Sequence, residues 1–268
     1  MAELAVEPGT EQEKEKESMP TMGFLDHLEE LRRRIVYAVA AVAVGFFACW
    51  WKVEWIYDIM QRPIMNALKA NGMSQKLSYL NPTDPFNMYL KVAALAGLFV
   101  TSPFVLYQVW MFISPGLYRK EKKYVVPFMI STITLFVCGG YFGYKIVYPA
   151  ALTFLINFGK QFQPMITITE YTQLFLSIIL GMGLIFEMPI LVFFLSLMGI
   201  ISAGFMWKNF RYSILVIFII AAIVTPTTDI LNMCIFAAPM IALYAISIGV
   251  AWLVHPKQRA KRREKQAR

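Results

Sequence analysis

Tyr171–Met198 reads YTQLFLSIILGMGLIFEMPILVFFLSLM, with Glu187 as its one charged residue. A helix needs about 20 apolar residues to cross a bilayer, so this run is long enough to span. Glu187 lies near its middle, and a carboxylate at that depth costs several kcal/mol unless it pairs, protonates or meets water. It is therefore expected to face the protein interior or an aqueous cavity. It reads either as a functional acid or as a structural one. In the second case it would pair with Lys91 or Lys145, or bond as a neutral acid to backbone freed by Pro189.

Similar apolar runs occur on both sides. The first covers Ile35–Trp51, the second Phe86–Ile113, the third Tyr124–Val147 and the sixth Ile230–Val254. The fifth, Tyr212–Val224, has 13 residues, which reach only about 20 Å at 1.5 Å per residue. It reads as a short span that thins the bilayer locally. The composition agrees: 58% of the 268 residues are hydrophobic and 16% charged, with mean hydropathy +0.54. That is too apolar for a water-soluble domain, in which about a quarter of residues are charged. The expected fold is an all-α membrane protein of six transmembrane helices. Pro103, Pro189 and Pro239 lie inside the second, fourth and sixth runs and should kink them.

The chain divides into an acidic, solvated tail over 1–21, a six-span membrane domain over 22–254 and a basic tail over 255–268. The first tail lacks the basic start and apolar stretch of a secretory signal. Cys49, Cys138 and Cys234 all lie in apolar runs without metal-ligand spacing. Basic residues set the orientation. Arg32, Arg33 and Arg34 precede the first span. Arg119, Lys120, Lys122 and Lys123 follow the second, and Lys208 and Arg211 follow the fourth. The last tail carries seven Lys and Arg between Lys257 and Arg268. The opposite loops are leaner, so both termini are expected in the cytoplasm. Beside a span, the basic tail is an orientation signal and lipid contact rather than a nucleic-acid site.

No zinc-protease, nucleophile-elbow or phosphate-loop motif occurs, so neither an enzyme nor a metal or cofactor site is expected. The lead-in Phe24-Leu25-Asp26-His27-Leu28-Glu29-Glu30-Leu31-Arg32 places leucines three apart, as on a short helix lying on the membrane. In Pro115-Gly116-Leu117-Tyr118-Arg119-Lys120-Glu121, Glu121 stands as one acid among bases. Asp229 reads as a cap for the sixth helix.

Together, that lead-in, Tyr107–Tyr118 with Glu121, and Phe186-Glu187-Met188-Pro189 resemble the motifs of the TatC family, the large subunit of the twin-arginine protein translocase. The resemblance covers roughly residues 22–254. It implies a glove-shaped, concave subunit in the bacterial inner membrane, driven by the proton gradient and without cofactors. It also implies a receptor for twin-arginine signal peptides of folded cargo, bound by Glu30 and Glu121 with Arg32, Leu117, Tyr118 and Arg119 around them. Glu187 would face the membrane interior from the concave side. Phe112, Pro63 and Asp229 match positions tied to transport or assembly. Thr225 and Asn232 match a docking patch for the single-span partners TatA and TatB, and further copies of the chain would join the receptor complex. The alternatives are a secondary transporter using Glu187 as a proton relay and a passive assembly scaffold. The transporter leaves the paired carboxylates unexplained and would fit better with a repeat between the two halves, which is not seen.

Overall fold

The computed structural model describes residues 24–73, 76–113, 125–159, 161–162, 165–197, 200–224 and 230–254, and these are helical with short connections. Both tails and the loops over 114–124 and 225–229 lie outside the described residues. Helix α1 runs Phe24–Trp50 without a break, so the lead-in is the first turns of the first span rather than a separate surface helix. Nothing between Leu31 and Ile35 interrupts it, and Leu, Arg and Glu are all good helix formers. Helix α2, Val53–Ala70, occupies a stretch that the apolar runs leave as loop. Its Val53, Met60, Ile64 and Leu68 form one buried face, the helical spacing of an amphipathic segment. Gly72, with φ of 67°, follows its end, where a residue without Cβ adopts the left-handed turn freely.

Helix α3, Asp84–Ile113, is the second span. The third extends beyond expectation, over Val126–Phe158. It is built from α4, Val125–Phe142, a π turn, Gly143–Val147, and α5, Tyr148–Phe158. The π turn has a local cause. Pro149 has no N–H for the Lys145 carbonyl, and the Tyr148 N–H reaches back to Gly143 instead. The fourth span divides into α6, Ile168–Ile185, and α7, Met188–Leu197. Pro189 withholds a donor from the Ile185 carbonyl. The Glu187 N–H turns to Leu184 at 3.1 Å, while the Glu187 carbonyl accepts from Ile190 and Leu191. A short α8, Ala203–Lys208, leads to α9, Phe210–Val224, and α10, Ile230–Val254.

Among the described residues, five helical stretches are long and apolar enough to cross a membrane, and Phe210–Ile223 is a shorter apolar helix. Pro103 and Pro239 stay inside continuous helices. At Pro103 the freed Phe99 carbonyl accepts from the Ser102 hydroxyl at 2.7 Å, one of the ways a membrane helix tolerates proline.

The fourth span is the centre of the fold. Half of its most apolar window is buried, against 11% for the first span. Ile178 and Met182 of α6 are fully buried, in the same core as Tyr148 and the buried face of α2. The first span instead turns Val39, Val44 and Phe47 outward, as lipid contact requires. It is held by close backbone packing on α3. A Cβ on Gly97 would lie 2.6 Å from the Phe46 nitrogen, and one on Gly45 would lie 2.8 Å from the Gly97 carbonyl oxygen. Small residues at such crossings let helices without a hydrophobic driving force gain contact area.

Backbone cannot move aside as a side chain can, so Gly97→Leu must pry α1 from α3. The expected cost exceeds about 2 kcal/mol, read as a lowered thermal unfolding midpoint of the detergent-solubilised protein. An unchanged midpoint would show that the two helices are not in backbone contact.

Candidate functional site

His27, Glu30 and Arg34 recur at three- and four-residue spacing, so they share one face of α1. That face meets the end of α3. His27 stacks on Phe112 with ring centroids 4.4 Å apart and planes 17° from parallel. The Arg34 Nη1 donates to Gln108 Oε1 at 3.1 Å, and its Nη2 donates to Glu30 Oε1 at 3.2 Å. Gln108 is buried, one helical turn from Phe112. Four residues on two helices thus set the position of Glu30.

The Glu30 side chain is 12% exposed and that of Arg34 16%. Only one carboxylate oxygen is used: Glu30 Oε2 and Arg34 Nε are buried without a hydrogen-bond partner among the described residues. The pair is single-pronged but little exposed, so leaving either charge without a partner there would cost several kcal/mol. A hydrogen bond to a charged group contributes about 1.5–3 kcal/mol, and a guanidinium fork can form two with one carboxylate. A second guanidinium at Glu30 would have to reach the unpaired Oε2 or replace Arg34 at Oε1. Beside it opens a cavity of about 570 Å³ lined by Asp26, Glu29, Glu30, Arg32, Arg33 and Tyr37. Arg32 lies about 200° around the helix from Glu30, yet its long side chain reaches the same cavity. Glu121, Leu117, Tyr118 and Arg119 lie outside the described residues.

Glu187 occupies the break between α6 and α7. Its Oε1 is buried and unpartnered among the described residues, and neither Lys91 nor Lys145 pairs with it. The Lys145 ammonium instead sits 5.6 Å from the Tyr144 ring centroid. Near this break lies a groove of about 380 Å³ between the fourth span and helices α9 and α10, with Leu184, Met188, Tyr212, Ile220 and Met240 among its walls. Thr225 and Asp229 lie outside the described residues. Asn232 falls at the start of α10, and its side chain is likewise outside them.

Pro63 lies far from Glu30 in the fold, inside α2. Its missing N–H frees the Ile59 carbonyl four residues earlier. The Tyr144 hydroxyl donates to that carbonyl at 2.7 Å, and the Tyr171 hydroxyl donates to Met60 at 2.7 Å. Two tyrosines from the third and fourth spans therefore hold the proline-broken stretch of α2. Sequence reading singled out Pro63 but neither tyrosine, and it missed Gln108. Nothing local marks these side chains, because their partners are 74 to 111 residues away.

Residues 26–239 match the family described as "Sec-independent protein translocase protein (TatC)". The chain is 67% identical over 266 residues to the "Sec-independent protein translocase protein TatC" of Koribacter versatilis, covering 99% of this chain and 98% of that one. It is 36% identical over 238 residues to the protein of the same name from Carboxydothermus hydrogenoformans, covering 88% and 96%. Among solved structures it is similar to "Crystal Structure of Twin Arginine Translocase Receptor- TatC". There the TM-score is 0.75 at 32% identity, over 84% of this chain and 97% of that one.

The Tyr144 bond at Pro63 has a test of its own. Tyr144→Phe leaves a buried carbonyl without a donor, at a cost of about 1–3 kcal/mol. Pro63→Ala supplies the missing N–H, so in that background Tyr144→Phe should cost much less. A double-mutant cycle on thermal unfolding reads the coupling. Strictly additive costs would remove the link between proline and tyrosine.

Proposed function

Since the chain belongs to the TatC family and is a multi-pass membrane component of a protein translocase, we infer that it is the receptor for twin-arginine signal peptides. The observation that carries this reading is the unpaired oxygen of Glu30 beside an open cavity, with Arg34 on its other oxygen. A carboxylate so placed accepts a guanidinium through a two-pronged fork that lysine cannot reproduce. Glu121 supplies the second carboxylate, so that two neighbouring arginines are counted. Arg32, Arg119, Leu117 and Tyr118 shape the surroundings. The bases near the site repel a cationic peptide at long range, but beyond about 10 Å salt screens them, while contact hydrogen bonds persist. The carboxylates thus give local selectivity rather than steering. Phe112 keeps α1 in register with α3 through its stack on His27.

The membrane domain crosses the inner membrane six times as a concave, glove-shaped subunit with both termini in the cytoplasm. Glu187 works from the concave side in transport driven by the proton gradient. The unpartnered oxygen at a helix break supports this, since an intramembrane acid held without a partner is costly to keep. TatA and TatB dock along the short fifth helix and the start of the sixth, with Thr225, Asp229 and Asn232 at the contact. The groove along α9 supports that placement. Further copies of the chain complete the receptor.

Crosslinking a twin-arginine peptide to the purified protein tests the receptor reading directly. Glu30→Gln or Glu121→Gln should weaken an Arg-Arg peptide by roughly tenfold or more, the loss of one charge-assisted contact, and a Lys-Lys peptide far less. Equal loss for both peptides would count against direct pairing. In a transport assay, Glu187→Ala should abolish export without lowering peptide capture. Intact export would remove Glu187 from the mechanism.

A further inference from the structure

We propose that the membrane face bearing α2 holds a site for an anionic glycerophospholipid, with its phosphate between Arg62 and Lys145 and an acyl chain in the adjoining apolar groove. Two cavities meet there. One, of about 430 Å³, is lined by Arg62, Asn66, Tyr144, Lys145 and Thr153 among others. The second, of about 330 Å³, is almost wholly apolar, with Trp55, Ile59, Ala96, Phe99 and Gly140 in its walls. Tyr144 lines both. Its hydroxyl is spent on the Ile59 carbonyl, so the ring serves as the partition between a cationic room and an apolar one.

The charges are available. Among the described residues neither Arg62 nor Lys145 has a carboxylate within ion-pairing distance, and both side chains are exposed. Lys145 lies 20 residues beyond Val125, the start of α4, or about 30 Å along a helix. That distance matches the thickness of the hydrocarbon core, so from its place within the Val126–Phe158 stretch the long, exposed Lys145 side chain can extend its ammonium toward the head groups. Arg62 is carried by an amphipathic helix whose buried face packs on the same bundle end. Cations at this level attract anionic head groups. A free phosphate would use only the first cavity and leave the second empty, whereas a phospholipid fills both. A glycine sets the groove wall: the Phe99 ring packs directly on Gly140, where a Cβ would clash with it.

Trp55 in the groove wall is a built-in probe. The full chain, in a neutral maltoside detergent, would be titrated with phosphatidylglycerol brominated on one acyl chain, and tryptophan quenching followed. Saturable quenching is expected, and Trp55→Phe should remove most of it. The pair Arg62→Gln and Lys145→Gln should weaken binding roughly tenfold or more, with the unfolding midpoint unchanged. Ala96→Phe, which fills the groove without touching the cations, should also weaken it. Brominated phosphatidylcholine should not saturate in the same range. Equal binding of the two lipids, or no effect of the charge pair, would overturn the site. Displacement by inorganic phosphate at matched concentration would make a free anion the ligand and overturn the acyl-chain half.

Discussion

Hydrocarbon offers no hydrogen bonds, so every backbone carbonyl inside it must find a donor within the protein. This chain places prolines inside several of its helices, and each frees one carbonyl. At Pro103 the donor is the neighbouring Ser102. At Pro63 it is Tyr144, from another helix. At Pro149 the ladder shifts into a π turn, and at Pro189 the helix divides. The shape of the domain follows largely from how each of these four breaks is repaired.

The repairs also position the polar residues that matter. The π turn before Pro149 lies where Tyr144 reaches α2 and where Lys145 meets Arg62 across one cavity. The division before Pro189 leaves Glu187 at a helix break with a buried oxygen unpartnered. Proline placement and polar function therefore share a cause. A break in the ladder opens room beside the helix, and a polar side chain can then occupy it.

The end that bears Glu30 obeys a different rule. There the helices stay regular, and helical spacing alone lines up His27, Glu30 and Arg34 opposite Gln108 and Phe112. Glu30 is held firmly in place, with one carboxylate oxygen paired and, among the described residues, the other not. That combination suits the receptor proposed above, since a rigid acceptor loses little entropy on binding. The close Gly45–Gly97 crossing maintains the alignment from deeper in the membrane.

Much of the fold was legible beforehand. The long apolar runs, the shortness of the fifth and the depth of Glu187 follow from composition and length, because bilayer thickness is a fixed ruler. Helix α2 was not read. Its charges disqualify it as a span and Pro63 argues against a helix, although Val53, Met60, Ile64 and Leu68 carry the helical period. The three-residue leucine spacing of the lead-in suggests a separate amphipathic helix, yet no breaker parts it from the first span.

For the site, the sequence by itself determined which residue types are costly in lipid and therefore in need of a partner: Glu187, the helix prolines, and the acids and bases at the span ends. Only the tertiary structure decided which partner each one has. Tyr144 reaches Ile59 across 85 residues and Tyr171 reaches Met60 across 111, while Glu187 reaches neither lysine. A proline announces locally that a carbonyl is free, but the donor comes from whichever helix packs beside it, and that is set by the folding of the whole bundle.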